Sequence, residues 1–100
     1  MDRLYFAYGS NMNPAQMRFR CPTSKAVARA TLRGYRFAIN SRGVATIVES
    51  EKSSVSGVLW KISRFDEEVL DCFEGVRSGA YVKRRITLSL GGKRRDALVY

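Results

Sequence analysis

An apolar and aromatic run, Leu4-Tyr5-Phe6-Ala7-Tyr8, stops abruptly at Gly9-Ser10-Asn11, and Asn13-Pro14 follow closely. Such a run suits a strand buried on both faces, because neither alternating set of side chains offers a polar face to water. Gly9 permits a turn that a residue with a Cβ would resist. Asn13 has the chemistry of an N-cap and Pro14 that of a first helical residue, so the spacing predicts a short helix through about Arg18. A strand that turns at glycine into a helix start brings unpaired N–H groups toward one point, an arrangement that holds phosphate or carboxylate. An ordinary strand-to-helix turn has the same local chemistry, so the corner alone leaves both readings open.

The remainder reads mostly as strands. β-Branched and aromatic runs at 27–32, 35–40, 44–48 and 55–62 are separated by Gly34, Gly43 and the polar stretch 49–54. Tyr35, Phe37 and Ile39 alternate with Arg36, Ala38 and Asn40, the pattern of a half-buried antiparallel strand. Ser63 followed by Asp66 resembles a capping box. Phe65, Val69, Leu70 and Phe73 then fall at helical spacing until Gly75, which predicts a helix stop. Two runs at 81–90 and 93–100 flank Gly91-Gly92, a two-residue hairpin signal. Closely spaced strands with one or two short helices predict an α+β fold built on a small mixed β-barrel.

One hundred residues, 45% of them hydrophobic, are expected to form a single domain with one modest core. The apolar N-terminal run is too short for a signal peptide or a membrane span, so a soluble, cytoplasmic protein is expected. Cys21 and Cys72 show no CxxC spacing and are expected to be reduced thiols, Cys72 as a small core residue. The chain contains no histidine, which removes Ser-His-Asp and Cys-His nucleophilic schemes along with His-ligated zinc. No ligand cluster with metal spacing is visible, and neither a metal nor a cofactor is expected.

A carboxylate is the proton carrier that remains. Glu74 is placed by Ser63 and Gly75 at the end of a helix, where the negative dipole end and unpaired carbonyls push a carboxyl pKa upward. Phe73 and Val76 would desolvate it further, and an inward Arg77 would oppose the shift. A solvated helix-end glutamate is the alternative.

The string Tyr5-Phe6-Ala7-Tyr8-Gly9-Ser10-Asn11-Met12 resembles the substrate loop of the γ-glutamylcyclotransferase (AIG2-like) family, whose members begin with this Tyr-Gly-Ser-Asn turn. A second segment, Asp71-Cys72-Phe73-Glu74-Gly75-Val76-Arg77-Ser78-Gly79-Ala80-Tyr81, resembles the family stretch in which a Glu before Gly-Val is the acid/base and a later Tyr lines the pocket. Residues 44–47 and 56–60 resemble its central strands. The resemblance implies that the α-amine of a γ-glutamyl group attacks its own γ-amide carbonyl, giving 5-oxoproline and a released amine or peptide. It assigns the proton shuttle to Glu74 and the grip on the γ-glutamyl group to Tyr8, Gly9, Ser10 and Asn11. Whether that grip meets the substrate carboxylate or the developing oxyanion stays open. Tyr81 would line the pocket, yet a regular strand from Tyr81 with a core face of Val82, Ile86, Leu88 and Leu90 turns it away. Either a bulge redirects it or the strand begins later.

The resemblance also implies that relatives continue past the strand ending near Tyr100 into a C-terminal segment carrying another pocket aromatic. A non-catalytic, ligand-binding member is therefore a second reading, and a homodimer a further expectation to test. The formal charge of +9 motivates a third, a basic nucleic-acid-binding β-barrel. The first half carries eight basic and two acidic residues and the second ten and seven, so the excess forms no separate basic tail. Neither Lys83-Arg84-Arg85 nor Lys93-Arg94-Arg95 makes one flat patch, because consecutive strand residues face opposite ways. A basic surface could also steer anionic γ-glutamyl substrates toward the pocket.

Overall fold

The structure, a computed structural model, describes residues 3–79 and 81–100. Strand β1 (Arg3–Ala7) leads through a single 3₁₀ turn (Ser10–Met12) into helix α1 (Pro14–Arg20). A long antiparallel ribbon follows, β2 (Lys25–Ile39) and β3 (Ala45–Ile62), then helix α2 (Arg64–Phe73) and the hairpin β4 (Arg84–Leu90) and β5 (Lys93–Val99).

The strands form one five-stranded sheet in the order β2-β3-β1-β5-β4. β1 runs antiparallel to β3 and parallel to β5, so the α+β class and the mixed sheet match the expectation. The barrel is not closed by hydrogen bonds. Among the described residues β2 and β4 remain edges, although Leu32 of β2 and Ile86 and Leu88 of β4 share one buried cluster. The sheet therefore curls around side chains without a closing ladder.

As the central strand, β1 is buried on both sides. Phe6 and Tyr8 join the cluster inside the curl, with Leu59 and Val99. Tyr5 and Ala7 face the opposite cluster, where Met17, Cys21 and Leu70 from the helical side cover Trp60, Ile62 and Leu98. The period of two explains why a run with no polar alternation was required here.

Four short strands were expected where two long ones occur. Gly34, at φ 87°, does not end β2; it sits at a register shift between the pairs Arg33↔Ser54 and Tyr35↔Glu49. The polar stretch 49–54 supplies the extra residues of that irregularity within β3, and Ser50 and Ser53 hydroxyls lie 2.9 Å apart across it. A bulge bends a ribbon without breaking it. Beyond the bend, Phe37 and Ile39 are exposed, contrary to the alternation, although Phe37 packs edge-on to Tyr8 with ring centroids 6.4 Å apart. Gly91 and Gly92 have φ 58° and 80°, as the two-residue hairpin demands.

Helix α2 starts with a complete capping box: Ser63 Oγ accepts from Asp66 N–H, and Asp66 Oδ2 accepts from Ser63 N–H, both at 3.0 Å. Ser63→Ala is expected to lower stability by about 1 kcal/mol, and the midpoint of thermal unfolding by roughly 4–8 °C. The buried face of α2 differs from its apolar spacing. Asp66, Glu67 and Leu70 are buried, whereas Phe65 and Phe73 are exposed. Polar partners explain this: Thr23 donates to the Asp66 carboxylate, and Arg3 and Lys83 bind Glu67. Phe73 instead lies under the Arg20 guanidinium, 4.4 Å from its ring centroid.

Cys72 is not the small core residue that was expected. Cys21 is buried, and desolvation beside Asp66 pushes its thiol up to about 11, with Arg20 opposing; Cys72 is exposed. Burial in apolar surroundings makes Cys21 an inert packing residue.

Candidate active site

β1 ends at Ala7, so Tyr8 and Gly9 emerge at the rim of the sheet, next to the 3₁₀ turn. Met12 N–H donates to Gly9 O and Asn13 N–H to Ser10 O, the i to i−3 bonds of that turn. Its first N–H groups, those of Ser10 and Asn11, are not used within such a turn. Helix α1 contributes no open end: Asn13 Oδ1 caps it by accepting from Ala15 N–H at 2.9 Å. Gly9 has φ −117°, outside the left-handed region, and a Cβ added there would meet nothing within 4 Å. Neither a positive φ nor crowding by neighbouring atoms therefore requires glycine at this position.

Across from this corner, α2 ends. Glu74 is its C-cap residue, its N–H bonded to Leu70 O, and Gly75 follows at φ 64°. Glycine in the left-handed region stops the helix as expected. Strand β4 begins only at Arg84, so Tyr81 lies in the preceding connection and not in the strand. The later start removes the difficulty over its facing, and Val82, assigned to the core, is 68% exposed. Tyr81 donates its hydroxyl to Ala45 O at 2.6 Å, which ties the connection to the first residue of β3. Ala80 lies outside the described residues.

These three segments enclose one concave space of about 230 Å³. Tyr8, Gly9, Ser10, Asn11, Glu74 and Tyr81 all border it, so the six residues singled out in the sequence meet in one place. Pockets for drug-sized ligands run to roughly 300–1,000 Å³, so this one suits a fragment the size of a single amino acid residue.

Sequence reasoning missed Tyr5, Phe6, Val44, Ala45 and Tyr100 among the lining residues. Tyr5 and Tyr100 line the same space, their rings edge to face with centroids 5.8 Å apart. Tyr8 OH donates to Tyr100 O at 2.7 Å, so the last strand and the first share a fixed junction at the cavity. Burial pushes the Tyr8 phenol up to about 12, and Tyr5 and Tyr100 also rise through burial; all three stay protonated at physiological pH. Arg20 does not line the cavity but acts on it through its charge, which opposes the upward shift of Glu74. It was legible only as one more surface cation.

Asn11 is 3% exposed and its amide is consumed by the fold. Its Nδ2 donates to Tyr5 OH at 3.0 Å, and its Oδ1 accepts from Gln16 Nε2 and Arg20 Nη1, each at 3.2 Å. Ser10 Oγ accepts from the same Gln16 amide at 2.7 Å. The Asn11 side chain thus locks the turn against α1, leaving the backbone N–H groups as the clearer hands for a ligand.

Glu74 contrasts with its neighbours. Among the described residues its carboxylate has no hydrogen-bond or ion-pair partner. Desolvation raises its pKa, and the opposing charge is Arg20, not the exposed Arg77 that sequence reasoning proposed. A partly desolvated, unpaired carboxyl facing a cavity is suited to accepting and returning a proton. No group of three or more Cys, Asp or Glu residues is placed to hold a metal ion among the described residues. No helix there is long and apolar enough to cross a membrane.

Known proteins resemble this arrangement along its length. The family model described as γ-glutamyl cyclotransferase, AIG2-like matches residues 5–100. A γ-glutamylcyclotransferase from Bos taurus is 35% identical over 96 residues, covering 86% of this chain and 51% of the relative. One from Homo sapiens is 37% identical over 89 residues, covering 79% and 47%. A solved structure described as a γ-glutamyl cyclotransferase superposes with a TM-score of 0.93 at 32% identity, across 100% of this chain and 66% of that one. The chain spans about half the length of the curated relatives it matches.

Proposed function

The chain belongs to the γ-glutamyl cyclotransferase, AIG2-like family, and we propose that it cyclises a γ-glutamyl amine or peptide to 5-oxoproline with release of the free amine. The observation that carries this reading is the convergence of Glu74 with the Tyr8 to Asn11 corner on one small cavity. Nucleophile and electrophile belong to one substrate, so the protein's task is to hold a near-attack conformer and move protons.

In the reaction the α-nitrogen bonds to the γ-carbonyl carbon and the bond from that carbon to the leaving nitrogen breaks. The α-ammonium gives up two protons in becoming the lactam N–H, and the leaving nitrogen gains two in becoming an ammonium. Glu74, ionised, takes a proton from the α-nitrogen and, protonated, delivers one to the departing amine. The N–H groups of Ser10 and Asn11 face the γ-glutamyl moiety as donors, while Tyr8 and Tyr81 wall it in. The carbonyl oxygen gains charge as the tetrahedral centre forms, and fixed N–H donors stabilise it without reorganising. Neither a covalent intermediate nor a cofactor enters the scheme. Residues 1–100 would act as one catalytic domain in the cytoplasm, where Cys21 and Cys72 would stay reduced thiols.

Incubation with a panel of γ-glutamyl dipeptides and γ-glutamylamines, with 5-oxoproline measured, tests the reading. Turnover of at least one member is expected, and turnover of none would sink it. The raised Glu74 pKa sets a further expectation. Catalysis needs the ionised carboxylate first, so activity falls as pH drops through a value above the ordinary carboxylate range. A rate profile whose acid limb lies at or below that of an unperturbed glutamate contradicts the assignment.

A further inference from the structure

Three carboxylates succeed one another along α2 and its cap: Glu67, Asp71 and Glu74, spaced so that they share one side of the helix. The first two are paired. Arg3 of β1 donates to Glu67 Oε1, and Lys83 Nζ donates to Glu67 Oε2 at 2.6 Å and to Asp71 Oδ2 at 2.9 Å. Tyr100 OH donates to the remaining Asp71 oxygen, Oδ1, at 2.6 Å. Glu67 is 11% exposed at its side chain while Arg3 and Lys83 are 36% and 29% exposed, so both pairs are only partly screened by solvent. Both cations hold Glu67 below its usual range although burial opposes them.

Lys83 lies two residues beyond Tyr81, in the connection between α2 and β4. One ammonium therefore fastens the Tyr81 segment across two successive turns of the helix that ends in Glu74. Through Asp71 the same helix is fastened to Tyr100, whose ring forms another wall of the cavity. In sequence, Lys83 belonged to a basic run with Arg84 and Arg85. In the fold it is withdrawn from the surface charge and turned inward to carboxylates.

We propose that Lys83 is a positioning residue of this site, bridging Glu67 and Asp71 so that Tyr81 and Tyr100 are held at fixed distances from the Glu74 carboxylate. It touches no reacting atom. The inference rests on the proposed cyclotransferase function, because its effect is on how often Glu74 meets the α-nitrogen in a reactive geometry. A displacement of about 1 Å at a reacting centre can lower a rate on the order of 100-fold.

Steady-state kinetics on a γ-glutamyl dipeptide that the parent chain turns over provide the test. Lys83→Met is expected to lower kcat by about 10- to 100-fold, with KM moving by less than about threefold. Lys83→Arg is expected to recover most of that loss, since a guanidinium also spans two carboxylates. A kcat for Lys83→Met within about twofold of the parent overturns the proposal, as does a rise in KM with kcat intact. If Lys83→Met fails to fold, Asp71→Asn decides, because it keeps an acceptor for Tyr100 OH while removing the charge that Lys83 binds. The same kcat loss supports the proposal and an unchanged kcat overturns it. A parent chain that turns over no γ-glutamyl compound overturns the function and this inference together, whereas an active parent with indifferent variants overturns this inference alone.

Discussion

Glu74→Gln is expected to lower turnover of a γ-glutamyl substrate by about 10²- to 10⁴-fold, the range that a positioned general acid/base contributes. The variant removes the exchangeable proton and keeps the shape. Its fold is expected to survive, because no described residue depends on the carboxylate for a hydrogen bond or an ion pair. Burial raises the folded-state pKa of Glu74, so the protonated folded form is relatively favoured below the unfolded pKa, and that advantage is lost as pH rises through the folded value. At neutral pH the parent therefore carries an unpaired, partly desolvated charge that Gln lacks. The variant should unfold at the same temperature or slightly higher there, and the difference should vanish in acid. Undiminished 5-oxoproline release by a folded Glu74→Gln would remove Glu74 from the chemistry.

Gly57→Ala is expected to have the largest effect on stability. A Cβ at Gly57 would stand 2.4 Å from Ala7 O and 2.7 and 2.8 Å from two atoms of the Phe6 ring. The nearest of these is backbone. Phe6 is fully buried and cannot swing aside, and Ala7 is held in the sheet opposite Val58. Overpacking of this kind costs about 3 kcal/mol or more where the neighbour is backbone, which lowers the thermal midpoint by roughly 12–24 °C in a domain of this size. Ala7 is also the last residue of β1 before the Tyr8 to Asn11 corner, so any accommodation displaces the cavity rim. Circular dichroism melting of the variant measures the first effect and turnover below its midpoint the second. A midpoint within a few degrees of the parent would mean that β1 and β3 can separate locally at little cost.

The elements legible in the sequence are those whose determinants are local. The β1 run, the Asn13-Pro14 helix start, the Ser63 capping box, the Gly75 stop and the Gly91-Gly92 hairpin all depend on residues within a few positions of one another. Each fixes its own backbone by dihedral preference or a short-range hydrogen bond. Where long-range partners decide, local reading fails. Phe65 and Phe73 have helical apolar spacing yet face outward, because the buried Asp66 and Glu67 find polar partners on distant segments. Cys72 was expected in the core and is exposed, since adjacency on a helix says nothing about which side the sheet covers. The ribbon of β2 and β3 bends at Gly34 without ending, because strand pairing across the irregularity outweighs the signals for a break.

The sequence by itself removed imidazole from any chemistry, since no histidine is present, and determined that Glu74 would sit where a helix ends. It also marked the corner from Tyr8 to Asn11, because a strand, a glycine and a helix start are written in consecutive residues. Only the tertiary structure decided that corner and carboxylate border one cavity, that Tyr5 and Tyr100 complete its walls, and that Asn11 spends its amide on the fold. It alone decided, too, that Lys83 turns inward while Glu74 keeps no hydrogen-bond or ion-pair partner among the described residues. The physical reason is common to all of these. Which charge is paired and which is left desolvated depends on what the fold brings into hydrogen-bond reach, and residues on different elements carry no local signal of that meeting.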